Sequence, residues 1–292
     1  METILRSGSN TVCISIEKPL VIIGEKINPT GRKKMVQALQ TGNFEYIREL
    51  AQTQVKAGAD VLDVNVGVPG LDDVALMPEI VRIVAATVDV PFCLDSPNPQ
   101  VLESGLKAAP GKALVNSVSG EKERLDAVLP LVRDHGAAVI GLILDDSGIP
   151  STPEARLAVA EKILNRAVQV GIPPEDVIID PLVMAVGADT NAGLVTLKTI
   201  ELVRTELGVN INLGASNVSH GLPDRPLVNQ AFIALAVGAG ATCAITDPAK
   251  MTGMIRAADL LLGRDEYAGR FIKYYRQQQA ILKETQGVAA IV

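Results

Sequence analysis

Cysteine and histidine are scarce in this chain, which has three of the former and two of the latter in 292 residues. Cys13, Cys93 and Cys243 are far apart, odd in number and set in apolar, strand-like runs. They read as small buried thiols rather than a disulfide framework or paired metal ligands. With only His135 and His220 besides, a zinc centre of Cys and His is hard to assemble, and no metal is expected. A basic excess is missing too: 27 Lys and Arg stand against 33 Asp and Glu, for a net charge of −6. Nucleic-acid binding draws on clustered cations that this sequence does not show. No apolar run approaches the ~20 residues needed to cross a bilayer, and the first ten residues have no apolar signal core. The chain therefore reads as soluble and cytoplasmic, without linkers or low-complexity tracts.

What is present is alternation. Apolar, β-branched runs begin at Leu20-Val-Ile-Ile-Gly24, Val61-Leu-Asp-Val64, Val90-Pro-Phe-Cys-Leu94 and Lys112-Ala-Leu-Val115. They continue at Ala138-Val-Ile-Gly-Leu-Ile143, Val177-Ile-Ile179, Asn210-Ile-Asn-Leu213 and Thr242-Cys-Ala-Ile245. Each is apolar enough to be buried on both faces, as parallel strands require. Between them lie amphipathic stretches with helix ends: Asn98 before Pro99, Thr152 before Pro153, and Gly58 and Gly136 as stops. Eight β-then-α units in one chain of this length predict an α/β fold, a single-domain (β/α)8 TIM barrel. A doubly wound open sheet would need a phosphate-binding glycine turn after its first strand, where this chain has Gly24-Glu-Lys-Ile-Asn-Pro29. Residues 1–18 are expected to form an N-terminal extension capping the barrel, with Thr11-Val-Cys-Ile-Ser-Ile16 as a strand across its floor. Residues 19–292 are expected to form the barrel with C-terminal helices.

Barrel active sites lie where the strands end, at the C-terminal face. From strand two onward those ends share a chemistry: Asp63 and Asn65, Asp95 and Ser96, Asn116 and Ser117, Asp145 and Asp146, Asp180, Ser216 and Asn217, and Asp247. Carboxylates and carboxamides with no lysine at any strand end make a hydrogen-bonding cup, poor for phosphate and for Schiff-base chemistry. Asp and Asn also favour turns and helix caps, and each strand end precedes a helix. The case for a site rests on so many converging at one mouth. Asp145-Asp146-Ser-Gly148 reads as a solvated turn, and His135, ending a helix, as a partner of the helix dipole. His220 falls in the loop after strand seven. Glu25, Lys26 and Asn28 after strand one are shared between turn, rim and ligand roles.

These strand ends resemble the pterin-binding barrel family, in particular the methyltetrahydrofolate:corrinoid protein methyltransferases and the folate module of cobalamin-dependent methionine synthase. The matching segments are Ile23-Gly-Glu-Lys-Ile-Asn28, Ala59-Asp-Val-Leu-Asp-Val-Asn-Val-Gly67, Cys93-Leu-Asp-Ser96, Val115-Asn-Ser117, Ile179-Asp-Pro-Leu182, Gly214-Ala-Ser-Asn-Val-Ser219 and Arg225-Pro-Leu-Val-Asn229. They span most of the chain in order. The resemblance implies that Asp95, Asn116, Asp180, Ser216 and Asn217 bind the pterin, with Asn217 as the catalytic residue holding N5 by a hydrogen bond. Asp63, Asn65, Ser96, His220, Arg225, Glu25 and Asn28 are possible substrate or rim residues. It implies tetrahydrofolate or 5-methyltetrahydrofolate as substrate, a corrinoid carried by a partner protein, and a homodimer. Dihydropteroate synthases belong to the same family but carry a basic segment after strand seven and an Asp-Pro-Gly turn after strand six. This chain has Ser216-Asn-Val-Ser219 and Asp180-Pro-Leu182 there, which favours methyl transfer.

Two rival readings stand beside it. One is a metal-dependent barrel lyase or hydrolase holding magnesium or manganese on Asp63, Asp95 and Asp180. The other is a non-catalytic folate-binding module.

Overall fold

The computed structural model describes residues 1–289; residues 290–292, the end of the expected barrel unit, lie outside the described residues. The chain opens with a hairpin in which β1 (Thr3–Arg6) pairs antiparallel with β2 (Thr11–Ile14). The barrel follows as eight strand-then-helix units. β3 (Val21–Ile27) is followed by α1 (Lys33–Thr41) and α2 (Glu45–Lys56), β4 (Val61–Val64) by α3 (Asp73–Ala85), and β5 (Phe92–Asp95) by α4 (Pro99–Ala108). β6 (Leu114–Ser119) leads to α5 (Lys122–Asp134), β7 (Ala138–Leu142) to α6 (Pro153–Gln169), and β8 (Val177–Asp180) to α7 (Ala192–Leu207). β9 (Asn210–Ile211) leads to α8 (Arg225–Ala239), and β10 (Cys243–Thr246) to α9 (Pro248–Leu261) and α10 (Gly269–Ala289).

All neighbouring barrel strands are parallel, in the order β10-β3-β4-β5-β6-β7-β8-β9. The seam between β9 and β10 is closed by backbone bonds: Thr242 N–H donates to the Ile211 carbonyl at 3.0 Å and Ile245 N–H to that of Leu213 at 2.8 Å. The eight expected apolar runs are thus the eight strands of a TIM barrel.

Period-two alternation sorts each strand into two faces. Ile22, Leu62, Phe92, Leu94, Val115, Val139, Ile179 and Ile211 face the helices and join the large outer core. Val21, Ile23, Val61, Cys93, Leu114, Ala138, Ile140, Ile178 and Cys243 form a second, inner cluster. Leu5 and Ile14 of the hairpin, both fully buried, belong to this inner cluster. Asn210 fixes the hairpin by donating from Nδ2 to Thr3 Oγ1 and to the Ile14 carbonyl, each at 2.9 Å.

Local signals set the helix starts. Asn98, Thr152 and Asp247 accept from backbone N–H groups of the first turns of α4, α6 and α9, each with Pro at the first helical positions. Gly58 and Gly136 follow α2 and α5 with positive φ. β3 runs three residues beyond the apolar run expected from sequence, through a register shift between Gly24 and Ile27. Gln54 of α2 supports that shift by accepting from Lys26 N–H at 2.8 Å. Gly24 permits its approach, since a Cβ there would lie 2.6 Å from Gln54 Oε1.

Candidate functional site

Counting two residues onward from the inner cluster gives the floor of the barrel mouth. Asp63 follows Val61, Asp95 follows Cys93, Asn116 follows Leu114 and Asp180 follows Ile178, and Asn212 likewise follows Asn210, which bonds the hairpin, so all five point into the lumen. The hydrogen bonds agree: Asn116 Nδ2 donates to Asp63 Oδ1 at 3.1 Å, reaching past the intervening strand β5. Asn65 Nδ2 donates to Asp95 Oδ2 at 3.0 Å, and Asn212 Nδ2 to Asp180 Oδ2 at 2.7 Å. Each interior carboxylate is met by a carboxamide.

Burial governs the electrostatics. Asp63 is 2% exposed, and loss of water raises its carboxyl well above the usual range, with the neighbouring Asp95 charge adding to the rise. Asp95 is raised for the same first reason and eased by Asn65. Asp180 is pushed from 3.8 to about 6 by desolvation, against the pull of hydrogen bonds from Leu182 N–H, Asn212 and Gly214 N–H and of the Arg156 charge. Arg156, only 3% exposed, donates to the Pro181 carbonyl at 2.9 Å and so ties α6 to the loop after β8. The lumen therefore concentrates acceptors whose charge is costly until a donor arrives.

Above this floor the loops form a lip. Ser216 and Asn217 lie in a short 3-10 turn, Ala215–Asn217, after β9. Ser216 Oγ donates to Glu25 Oε2 at 3.2 Å, joining that turn to the end of β3. Asn217 and His220 are exposed at the mouth. Arg225 ties the loop down: Nη2 donates to the Ser216 carbonyl at 2.7 Å and Nε to Ser219 Oγ at 3.1 Å. Asn28 accepts from Thr30 N–H at 2.9 Å in a turn on the rim.

Three further residues at or near strand ends make local contacts. Ser96 directly follows β5, and its Oγ accepts from Asn98 N–H at 3.1 Å in the turn before α4. The Ser117 carbonyl accepts from Arg124, and the Asn116–Ser117 peptide is cis. Asp145 closes its own turn, accepting from Ser147 N–H at 2.9 Å, as the solvated-turn reading expected. His135 caps α5, its Nδ1 2.9 Å from the Leu131 carbonyl.

Two features escaped the sequence reading. Asn212 lies inside an apolar run rather than after it, although strand parity places it on the Asp180 face. Lys26, at the extended end of β3, pairs with Asp247, so one lysine does stand at the mouth, neutralised by the residue that also caps α9.

Among the described residues no three His, Cys, Asp or Glu side chains are grouped to hold a metal ion. A cavity of about 460 Å³ at the barrel's other end is lined by Lys56, Asp60, Arg256 and Arg270. Asp60 already pairs with both arginines there.

Solved structures of dihydropteroate synthases share the fold. That from Xanthomonas albilineans in complex with 7,8-dihydropteroate superposes with a TM-score of 0.68 at 19% identity, covering 89% of this chain and 99% of that one. A Yersinia pestis dihydropteroate synthase with a pterin-sulfa conjugate gives 0.68 at 15% identity over the same shares. Among curated proteins, the methylcorrinoid:tetrahydrofolate methyltransferase of Eubacterium limosum is 34% identical over 266 residues, 88% of this chain and 97% of that protein. The methionine synthase of Mycobacterium tuberculosis is 30% identical over 93% of this chain, which spans 24% of that longer enzyme. The model of pterin binding enzymes matches residues 24–247, from the glycine under the β3 bulge to the aspartate that caps α9, and the chain belongs to that family.

Proposed function

We propose that the protein is a methyltransferase moving the N5-methyl group between 5-methyltetrahydrofolate and the cobalt of a corrinoid carried by a partner protein. The observation that carries this reading is the convergence of Asp95, Asn116 and Asp180 on the lumen beneath an exposed Asn217, in a chain similar along nearly its whole length to a methylcorrinoid:tetrahydrofolate methyltransferase. A 2-amino-4-oxo pterin presents an amino group beside a ring N–H. The carboxylate of Asp180 accepts both together, while Asn116 can donate and accept on the same edge. A buried acceptor left without its donor costs about 1–3 kcal/mol, so the cup selects for that edge.

Transfer from N5 breaks a C–N bond and leaves its electron pair on nitrogen, while the methyl carbon bonds to cobalt(I). Asn217 holds N5 through a hydrogen bond that strengthens as charge builds there. A carboxamide is no general acid at neutral pH, so the proton that completes N–H comes from water at the open mouth. In the reverse direction N5 of tetrahydrofolate attacks the methyl group, both electrons of the cobalt–carbon bond stay on the metal, and N5 releases its proton. The exposed lip leaves room for the corrinoid to approach. The same reading places the enzyme in the cytoplasm as a homodimer, which sedimentation at micromolar concentration checks.

The test is Asn217→Ala. Methyl transfer should fall about 100-fold or more while folate binding weakens about tenfold or less; turnover near that of the parent would remove Asn217 from the mechanism.

A further inference from the structure

Asp180 is held from several sides. Leu182 N–H donates to Oδ1 at 2.9 Å, Asn212 Nδ2 to Oδ2 at 2.7 Å, and Gly214 N–H adds a third bond. The backbone donors come with the loop, whereas Asn212 is a choice of side chain. It is fully buried inside the barrel, where an apolar residue would cost less. Its other end meets Cys243 of β10, whose thiol donates to Asn212 Oδ1 at 3.5 Å. With the thiol on its oxygen, the carboxamide turns its N–H toward Asp180. Three adjacent strands thus carry a buried line, Cys243 to Asn212 to Asp180, that ends on the mouth. Such a line is costly unless every member is satisfied.

We propose that Asn212, oriented by Cys243, is a positioning residue that keeps Asp180 ionised and turned with its remaining lone pairs toward the mouth, ready for the paired N–H donors of a reduced pterin. The inference rests on the pterin reading of Asp180. Among the described residues the titratable groups acting on Asp180 are Arg156 from α6 and Cys243 from β10. Burial pushes the Cys243 thiol upward, so it stays protonated and able to donate.

The experiment measures 5-methyltetrahydrofolate affinity of the full chain by calorimetry from about pH 5 to pH 8, for the parent, Asn212→Leu, Cys243→Ala, Cys243→Ser and Asp180→Asn. In Asn212→Leu the acid limb should move up by about one pH unit, so affinity should fall about tenfold near pH 5 and about twofold at pH 7, the deficit shrinking as pH rises. Cys243→Ala should move the limb the same way by less, and Cys243→Ser, which keeps a donor, should stay near the parent. A purely structural role would weaken binding equally at every pH. The proposal is overturned if the acid limb of Asn212→Leu matches the parent. Should that variant not fold, equal limbs in Cys243→Ala and Cys243→Ser overturn it instead. Asp180→Asn separates the two levels. If it binds as well as the parent, the pterin reading of Asp180 itself fails. If it loses binding while the Asn212→Leu limb is unmoved, only the role of Asn212 falls.

Discussion

Replacing Asp180 by Asn should make the ligand-free protein more stable near neutral pH while destroying its folate site. Asp180 is 5% exposed, and its folded pKa is pushed from 3.8 to about 6, chiefly by desolvation. The folded state therefore holds that proton more tightly than the unfolded chain does. Between 3.8 and about 6 it binds more protons, and stability falls as pH rises through that window. At ~1.4 kcal/mol per pH unit the gap is worth about 3 kcal/mol once the group is fully ionised. Asn keeps the shape and the acceptor for Leu182 N–H but carries no charge, so the variant escapes that cost. Its amide nitrogen would face the Asn212 N–H, an offset of about 1 kcal/mol that does not depend on pH. The net expectation at pH 7.5 is a gain of about 2 kcal/mol, or roughly 4 °C in Tm for a domain of this size. Denaturant unfolding of parent and variant at several pH values reads it directly. The difference should grow by about 2.5 kcal/mol from about pH 4 to pH 7 and then level off. A difference that is the same at both ends would refute the claim that buried charge at Asp180 is held at the expense of stability.

Other outcomes follow from the same geometry. A Cβ on Gly214 would lie 3.2 Å from Asn217 Nδ2, so Gly214→Ala should displace that carboxamide and lower kcat about tenfold or more, with little change in folate affinity, as stopped-flow and equilibrium titration would separate. Each carboxylate of the lumen accepts from a carboxamide N–H, and the proposed methyl transfer draws on no divalent cation in this chain. Turnover should therefore be unchanged after dialysis against a chelator, and a loss restored by magnesium or manganese would favour the metal-dependent reading.

Much of the fold was legible because its determinants are local. Apolar runs marked the eight strands, and Asn98, Thr152 and the prolines after them marked helix starts within a residue. Strand ends were less legible, because pairing sets them. β9 is ordered as strand over two residues, since the seam to β10 is carried by isolated backbone bonds at Ile211 and Leu213. β3 continues through a bulge that depends on Gln54, 28 residues beyond Lys26. For the candidate site, reading the residues at or after the end of each run singled out Asp63, Asp95, Asn116 and Asp180, which the barrel gathers in its lumen. The same rule named Ser96, whose hydroxyl accepts from Asn98 N–H in the turn before α4. It passed over Asn212, which holds the same place in its run as Asp63 does in its own. The pairing of Lys26 with Asp247 spans 221 residues, and no local pattern announces a contact made only when the barrel closes.

The most direct test mixes the purified protein with 5-methyltetrahydrofolate and photoreduced cob(I)alamin and follows the cobalt(I) absorption band. The account predicts catalysed loss of that band with matching growth of methylcobalamin, at a rate proportional to enzyme and strongly reduced in Asn217→Ala. A rate no greater than that of the enzyme-free control, with folate still bound, would contradict it and leave the barrel as a folate-binding module.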